Sequence, residues 1–343
     1  MNNRDFSRRE FLKFGATSLG AVTYSTYVQP AEARIDPKYM LVGNKDGVSI
    51  YSRSTDKSTI MYTRAYTDII NVYYEVKGDD GPDWNPLWYR VWGGYVHSAH
   101  LVEVAYKLNP VQSKVRESGQ LFEVTVPFTR SMHYSRYTGW QPMYRFYYRS
   151  VHWVMDIISG PDDKAWYKVI DELGETVLAV PAEHLRYIND EELAPISADV
   201  PEAEKKIEIS LYFQTLKAYE GDNVVLDTKI SSGIPRKVTQ TPTGNFRIWT
   251  KMPSKHMGDG RLTDDIYAYE LLGVPWNCFF QMEDGIATHG TFWHNNYGSP
   301  MSHGCVNMRP DEAKWLYRWS NPVASPENRE KHGFGTPVIV KAK

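Results

Sequence analysis

The chain has 343 residues, 42% of them hydrophobic and 23% charged, the balance of an ordinary globular protein rather than a disordered, fibrous or membrane-spanning one. Its 39 Lys and Arg nearly match 41 Asp and Glu, for a formal net charge of −2, which argues against nucleic acid or another polyanion as partner. Aromatic residues are in surplus, with 24 Tyr, 11 Trp and 12 Phe, as suits small β-rich cores and clefts that hold sugars or peptides, whereas Cys278 and Cys305 are too few for a disulfide framework.

At the amino terminus, Ser7-Arg8-Arg9-Glu10-Phe11-Leu12-Lys13 sets paired arginines ahead of a weakly apolar run from Phe14 to Val28. The run is too polar and too short for a bilayer span, which takes about 20 apolar residues. Ala31-Glu32-Ala33 follows with the small-x-small pattern of a cleavage site. The segment resembles a twin-arginine export signal, which implies that residues 1–33 are removed before Arg34. The product is then expected outside the cytoplasm, periplasmic or otherwise extracytoplasmic, with no membrane span in the mature chain and no cysteine at the cleavage site to carry lipid.

A repeat comes next. Trp88-Tyr89-Arg90-Val91 precedes Val96-His97-Ser98-Ala99-His100-Leu101, and Trp166-Tyr167-Lys168-Val169 precedes Val180-Pro181-Ala182-Glu183-His184-Leu185, with six extra residues between the pieces of the second copy. Short alternating runs broken by Gly, Pro and Asp point to two copies of one small β-unit. The pattern resembles bacterial SH3-like modules, placed at 38–105 and 106–195. Such modules bind cell-wall peptide in some settings, but Trp88 and Trp166 read first as core residues of a small barrel.

Apolar periodicity lapses between Ala194-Pro195 and Pro201-Glu202, and a third domain is expected over 203–342. Lys206 to Tyr219 reads as one strand and Val224 to Ser231 as its hairpin partner across Glu220-Gly221-Asp222-Asn223. Thr241-Pro242-Thr243-Gly244-Asn245-Phe246 reads as a turn entering another strand. Pro310-Asp311-Glu312 opens a helix, with Pro at its first position and acids at the positive end of the dipole, and Asn321-Pro322 stops it. Thr336 to Lys341 closes the domain, so the fold class is mainly β, with one or two short helices.

Chemistry gathers in Ile286-Ala287-Thr288-His289-Gly290-Thr291 and Ser302-His303-Gly304-Cys305-Val306-Asn307. Cysteine is a nucleophile as thiolate, and a free thiol, with a pKa of about 8.5, needs a base beside it. His303 is two residues from Cys305, while His289 lies on another segment that strand pairing can bring alongside. Gly304 lets the backbone approach a substrate carbonyl and aim N–H groups at an oxyanion.

These residues carry a resemblance: the segment is similar to the active-site signature of the L,D-transpeptidases, whose YkuD-type catalytic domain has a His-Gly-Thr-like stretch followed by Ser/Thr-His-Gly-Cys, an apolar residue, and Asn or Arg. With the Thr-Pro-Thr-Gly-Asn-Phe segment, the likeness spans roughly residues 203 to 342. It implies Cys305 as nucleophile, His289 as general base and the Gly290 carbonyl as its orienter. It further implies oxyanion N–H groups from His303, Gly304 and Cys305, and a loop braced by Ser302 and Asn307. Thr291, Tyr267 and Trp276 complete the expected substrate-binding set, with Tyr267, Tyr269 and Trp276 as a lid. The implied reaction is acyl transfer from a peptidoglycan tetrapeptide stem, releasing D-Ala, to an amine, with no metal or organic cofactor. His289 is expected to hold Cys305 as a thiolate at low pH, and Cys278 is expected to be a buried bystander.

Three other readings stay open. His289, His294, His303 and Cys305 are N and S donors able to surround zinc, although their spacing matches no compact zinc signature. The chain also reads as a non-catalytic cell-wall binding protein. Water in place of the amine would give an L,D-carboxypeptidase or amidase from the same thioester.

Overall fold

Strands of three to nine residues, many with alternating burial, dominate the amino-terminal half and fold into two seven-stranded sheets. The structure, a computed structural model, describes residues 38–173 and 176–343; the proposed export signal lies outside the described residues. The first sheet holds β1 (Lys38–Val42), β2 (Val48–Tyr51), β3 (Ile60–Arg64), β4 (Ile69–Lys77), β5 (Leu87–Val91), β6 (Gly94–His97) and β7 (Leu101–Val104), in the order β3-β2-β6-β5-β4-β1-β7. The second holds β8 (Gln120–Val124), β9 (Phe128–Ser135), β10 (Gly139–Tyr147), β11 (Val151–Ser159), β12 (Ala165–Ile170), β13 (Val177–Pro181) and β14 (Leu185–Tyr187), in the order β10-β9-β13-β12-β11-β8-β14. Each strand of the second sheet occupies the place of the strand seven earlier, so the sequence repeat is a repeat of topology.

Equivalent residues land on equivalent strands. Trp88 on β5 and Trp166 on β12 are both buried, as core residues should be. The six-residue insertion lengthens one hairpin. In the first sheet Val91 pairs with Gly94 across Trp92-Gly93. In the second, pairing continues one rung further, to Ile170 and Val177, and the turn runs over 171–176. Asp171 and Glu172, which follow β12, reach His256.

The remaining strands are β15 (Lys205–Ser210), β16 (Thr215–Glu220), β17 (Asn223–Lys229), β18 (Gly244–Arg247), β19 (Thr250–Gly258), β20 (Glu270–Gln281), β21 (Ile286–Gly290), β22 (Val306–Met308), β23 (Lys331–His332) and β24 (Pro337–Lys341), with helix α1 (Pro310–Trp319). They form two five-stranded sheets, β17-β16-β15-β24-β18 and β22-β21-β20-β19-β23. The expected single strand from Lys206 to Tyr219 is in fact two, β15 and β16, paired antiparallel from Ser210↔Thr215. Alternation conceals the turn, which Gln214 makes with a φ of 50° while its side chain donates to the Leu211 carbonyl at 2.7 Å.

Helix α1 opens at Pro310 as its sequence requires and lays Ala313, Leu316, Tyr317 and Trp319 against the core. Leu316 is fully buried beside Cys278, Phe280 and Val306, a placement that contributes about 2 kcal/mol. This packing fixes β20, β21 and β22, and with them the site.

Candidate active site

Strands β21 and β22 lie parallel, with His289 opposite Asn307. Cys305 directly precedes β22, so two segments that are separate in sequence become neighbours. Both His289 and Cys305 line a cleft of about 150 Å³ together with Ser302, His303, Asn307, Met257, Tyr269, Leu271, Trp293 and Met301.

The imidazole of His289 is buried, and its Nδ1 donates to the Gly290 carbonyl at 3.0 Å. A carbonyl only accepts, so Nδ1 carries the proton and Nε2 keeps the lone pair, the form a general base needs. Burial lowers the pKa of His289 to about 4. Burial pushes the Cys305 thiol up. Both shifts favour neutral imidazole and neutral thiol over the thiolate expected from sequence, because burial penalises the charged form of each group.

The loop before Cys305 is tightly bonded. The Ser302 hydroxyl accepts the Gly304 N–H at 3.1 Å and donates to the Cys305 carbonyl. Gly304 has a φ of 133°, a left-handed conformation that strains any residue with a Cβ. Its N–H is committed to Ser302, so the expected oxyanion set loses one of its three members. Thr241, missed as a site residue although it stands in the noted Thr-Pro-Thr-Gly segment, donates its hydroxyl to the Gly304 carbonyl at 2.7 Å and accepts the Gly233 N–H at 2.9 Å.

The segment Phe292-Trp293-His294, silent in the sequence, acquires roles. Trp293 lines the cleft, its ring 5.8 Å from that of His289. His294 lies 2.8 Å from the Asn307 amide through Nε2, and its Nδ1 accepts the Asn296 N–H at 3.2 Å. Burial lowers the pKa of His294 to about 3, so the ring is neutral and Nε2 carries its proton. By that logic the Asn307 amide oxygen faces His294 and the NH2 group takes the opposite side, where the amide has no protein partner. The Asn307 side chain thus bonds His294 rather than the 302–305 loop and offers donors at the cleft.

Three expected substrate contacts fall elsewhere. Trp276 is in the core, buried against Tyr317 with ring centroids 5.6 Å apart and under the Lys314 ammonium. Its surplus of apolar surface wins over any lid role. Thr291 is buried behind the cleft, its N–H on the Met308 carbonyl at 3.0 Å. Tyr267 is exposed on the 259–269 connection, its ring 5.9 Å from that of Tyr66, whereas Tyr269 does reach the cleft. Cys278 is free and buried. Among the described residues, no group of three or more His, Cys, Asp or Glu side chains is arranged to hold a metal ion, and no helix is long and apolar enough to cross a membrane.

Residues 204–340 match the family model of the YkuD L,D-transpeptidase catalytic domain, so this part of the chain is a domain of that class. The match covers less than half of the chain. Among solved structures, the chain is similar to an Enterococcus faecium L,D-transpeptidase at 27% identity, over 40% of this chain and 50% of that one, with a TM-score of 0.30. The chain thus spans half the length of that relative. A catalytic domain from an E. faecium L,D-transpeptidase aligns at 29% identity over 40% of this chain and 96% of its own, with a TM-score of 0.30. An L,D-transpeptidase from Mycobacterium smegmatis aligns at 22% identity over 49% and 74%, with a TM-score of 0.33. No curated protein matches.

Proposed function

We propose that the protein is a peptidoglycan L,D-transpeptidase that uses Cys305 as its nucleophile. The observation that carries the reading is the shared cleft of Cys305 and His289, with His289 held by Gly290 so that Nε2 is free to act as base. Cys305 attacks the carbonyl between the diaminopimelate centre and the terminal D-Ala of a tetrapeptide stem while His289 takes the thiol proton. The tetrahedral intermediate collapses as D-Ala leaves with that proton. An amine from a second stem then attacks the thioester, losing a proton to His289, and the thiol is restored. The reaction cross-links or remodels the cell wall.

Around this domain the reading assigns 1–33 as a twin-arginine signal, an extracytoplasmic location, and the two seven-stranded sheets as SH3-like modules. A carboxypeptidase or amidase differs only in using water as the acceptor for the same thioester.

Intact-mass analysis with a defined tetrapeptide, with and without an added amine, tests the reaction. Loss of D-Ala and formation of the cross-linked product are expected, both absent from Cys305→Ser. A carbapenem, which acylates as a mimic of the stem, should add its mass at Cys305. An adduct on Cys278, or turnover by Cys305→Ser, overturns the assignment.

A further inference from the structure

Strands β19 and β20 and the 259–269 connection between them form a flap at the cleft, to which β19 brings Met257, the connection Tyr269 and β20 Leu271. Their pairing slips at one place. Lys255 faces Val274 and Met257 faces Leu271, so the single residue His256 stands opposite two, Leu272 and Gly273, and the bulge lies on β20, where Gly273 has a φ of 73°. Along β19 side chains alternate, so Met257 lines the cleft while His256 turns away.

His256 turns into the second module. Its Nδ1 lies 2.7 Å from Asp171, its Nε2 bonds Glu270 of β20, and its backbone N–H donates to Glu172 at 2.7 Å. Asp171 and Glu172 belong to the 171–176 turn, the insertion that the β5–β6 hairpin lacks. The His256 and Asp171 side chains are each 1% exposed, so this clasp is sealed from water. Lys255 adds a bond from Nζ to Glu172 at 2.8 Å. Beyond the bulge, the Tyr144 hydroxyl donates to the Arg261 carbonyl at 2.9 Å.

The first module grips the other end of the same flap. Lys45 Nζ donates to the Tyr267 carbonyl at 2.7 Å and the Ala268 carbonyl at 2.8 Å, immediately before Tyr269 enters the cleft. The bonds inside the 259–269 connection are short-range turns, such as the Tyr267 N–H on Asp265 at 2.8 Å, so these partners add to apolar packing of Met257, Ile266 and Leu271 the polar fastenings that fix the flap's position.

We propose that the two amino-terminal modules are working parts of the acyl-donor site. The inserted turn, through Asp171 and Glu172 on His256, and Lys45, through the Tyr267 and Ala268 carbonyls, hold the flap at the height that seats the donor peptide against Cys305. Asp171 and Lys45 are positioning residues: neither touches substrate, and both act through Met257 and Tyr269. The assignment of the donor as a stem peptide rests on the function proposed above; the fastening of the flap does not.

The full mature chain is compared with Asp171→Asn, Lys45→Met and Lys45→Arg by hydrogen exchange across 257–271, by alkylation of Cys305 with a small reagent at fixed pH, and by kcat and KM for the tetrapeptide donor. Faster flap exchange, faster alkylation and a KM raised roughly fivefold, with kcat within about twofold, are expected for Asp171→Asn and Lys45→Met. Lys45→Arg should restore wild-type values, because a guanidinium also donates to two carbonyls. Wild-type exchange and KM in both Asp171→Asn and Lys45→Met, or equal losses in Lys45→Met and Lys45→Arg, overturn the proposal. Should the wild type not turn over stem peptide, the proposed reaction fails, while exchange and alkylation still decide the role of the modules.

Discussion

His289 gives its Nδ1 hydrogen bond to the carbonyl of Gly290, the next residue in its own chain, at 3.0 Å. The tautomer with a free Nε2 is thus set within a single dipeptide of β21, with no carboxylate in between. A neutral acceptor raises the basicity of the imidazole less than a carboxylate would, and burial then prevails, leaving the pKa of His289 at about 4.

Alkylation of Cys305 should therefore follow a thiol rather than an ion pair. In the wild type the rate is expected to climb with pH toward a midpoint above that of an ordinary thiol, about 8.5, with no acid plateau. His289→Ala should move that midpoint little while lowering turnover by about 100-fold or more, the usual worth of a general base. A wild-type plateau near pH 5 that His289→Ala abolishes would show a resting thiolate and reverse this account.

Asn307 provides a second test. Turned by His294, its NH2 is a buried donor at the cleft with no protein partner, an arrangement that favours a substrate carbonyl or an oxyanion. Asn307→Asp preserves shape and still accepts from His294 but has no N–H. A fall in kcat/KM of roughly 10- to 100-fold is expected, matching a lost hydrogen bond of about 1–3 kcal/mol. Full activity in Asn307→Asp, with thermal stability unchanged, would mean that the amide only holds His294.

The convergence of the candidate residues was legible from their order in the sequence: Cys305, His289, Ser302, His303 and Asn307 line one cleft. The repeat was legible for a similar reason, since Trp88 and Trp166 must fill equivalent positions in equivalent sheets. What escaped was set by tertiary surroundings. Trp276 has the composition of a lid but the burial of a core residue. Gly304 has the freedom to donate to an oxyanion, yet its N–H is spent on Ser302. The turn at Gln214 hides within an unbroken alternation because a left-handed residue leaves no trace in polarity. The six-residue insertion was visible as a length difference, but nothing in its composition says that it clasps His256.

The clasp has a sign with pH. Burial works against the charged form of His256, but the bonds to Asp171 and Glu270 outweigh it, and the pKa is raised above 6.5. Besides those two, the ring faces Tyr144 and lies within the influence of His152, while its backbone meets Glu172. A raised folded pKa contributes stability that is complete below the unfolded value and is lost as pH rises through the folded one. The stability difference between wild type and Asp171→Asn should therefore be largest below pH 6.5 and shrink as pH climbs, as denaturant unfolding across that range will report. A difference that grows with pH would place the charge elsewhere.

Lys251 offers the opposite dependence. It is fully buried on β19, its Nζ donating to the Ser320 carbonyl at 2.8 Å and standing 4.5 Å from the centre of the Tyr317 ring. Burial lowers its pKa from 10.5 to about 8. Between those values the unfolded chain holds the proton that the folded protein releases, so Lys251 makes stability rise with pH, by a total on the order of 3 kcal/mol. Below pH 8 the buried charge is a burden only partly offset by its hydrogen bond, worth about 1 kcal/mol. Lys251→Met keeps most of the volume and removes the charge. Its melting temperature is expected to exceed that of the wild type at pH 7, and the gap to narrow toward pH 10, where groups common to both proteins cancel in the comparison. A gap that stays constant from pH 7 to pH 10 would mean that Lys251 keeps an ordinary pKa and that the Ser320 carbonyl and the Tyr317 ring fully replace its water.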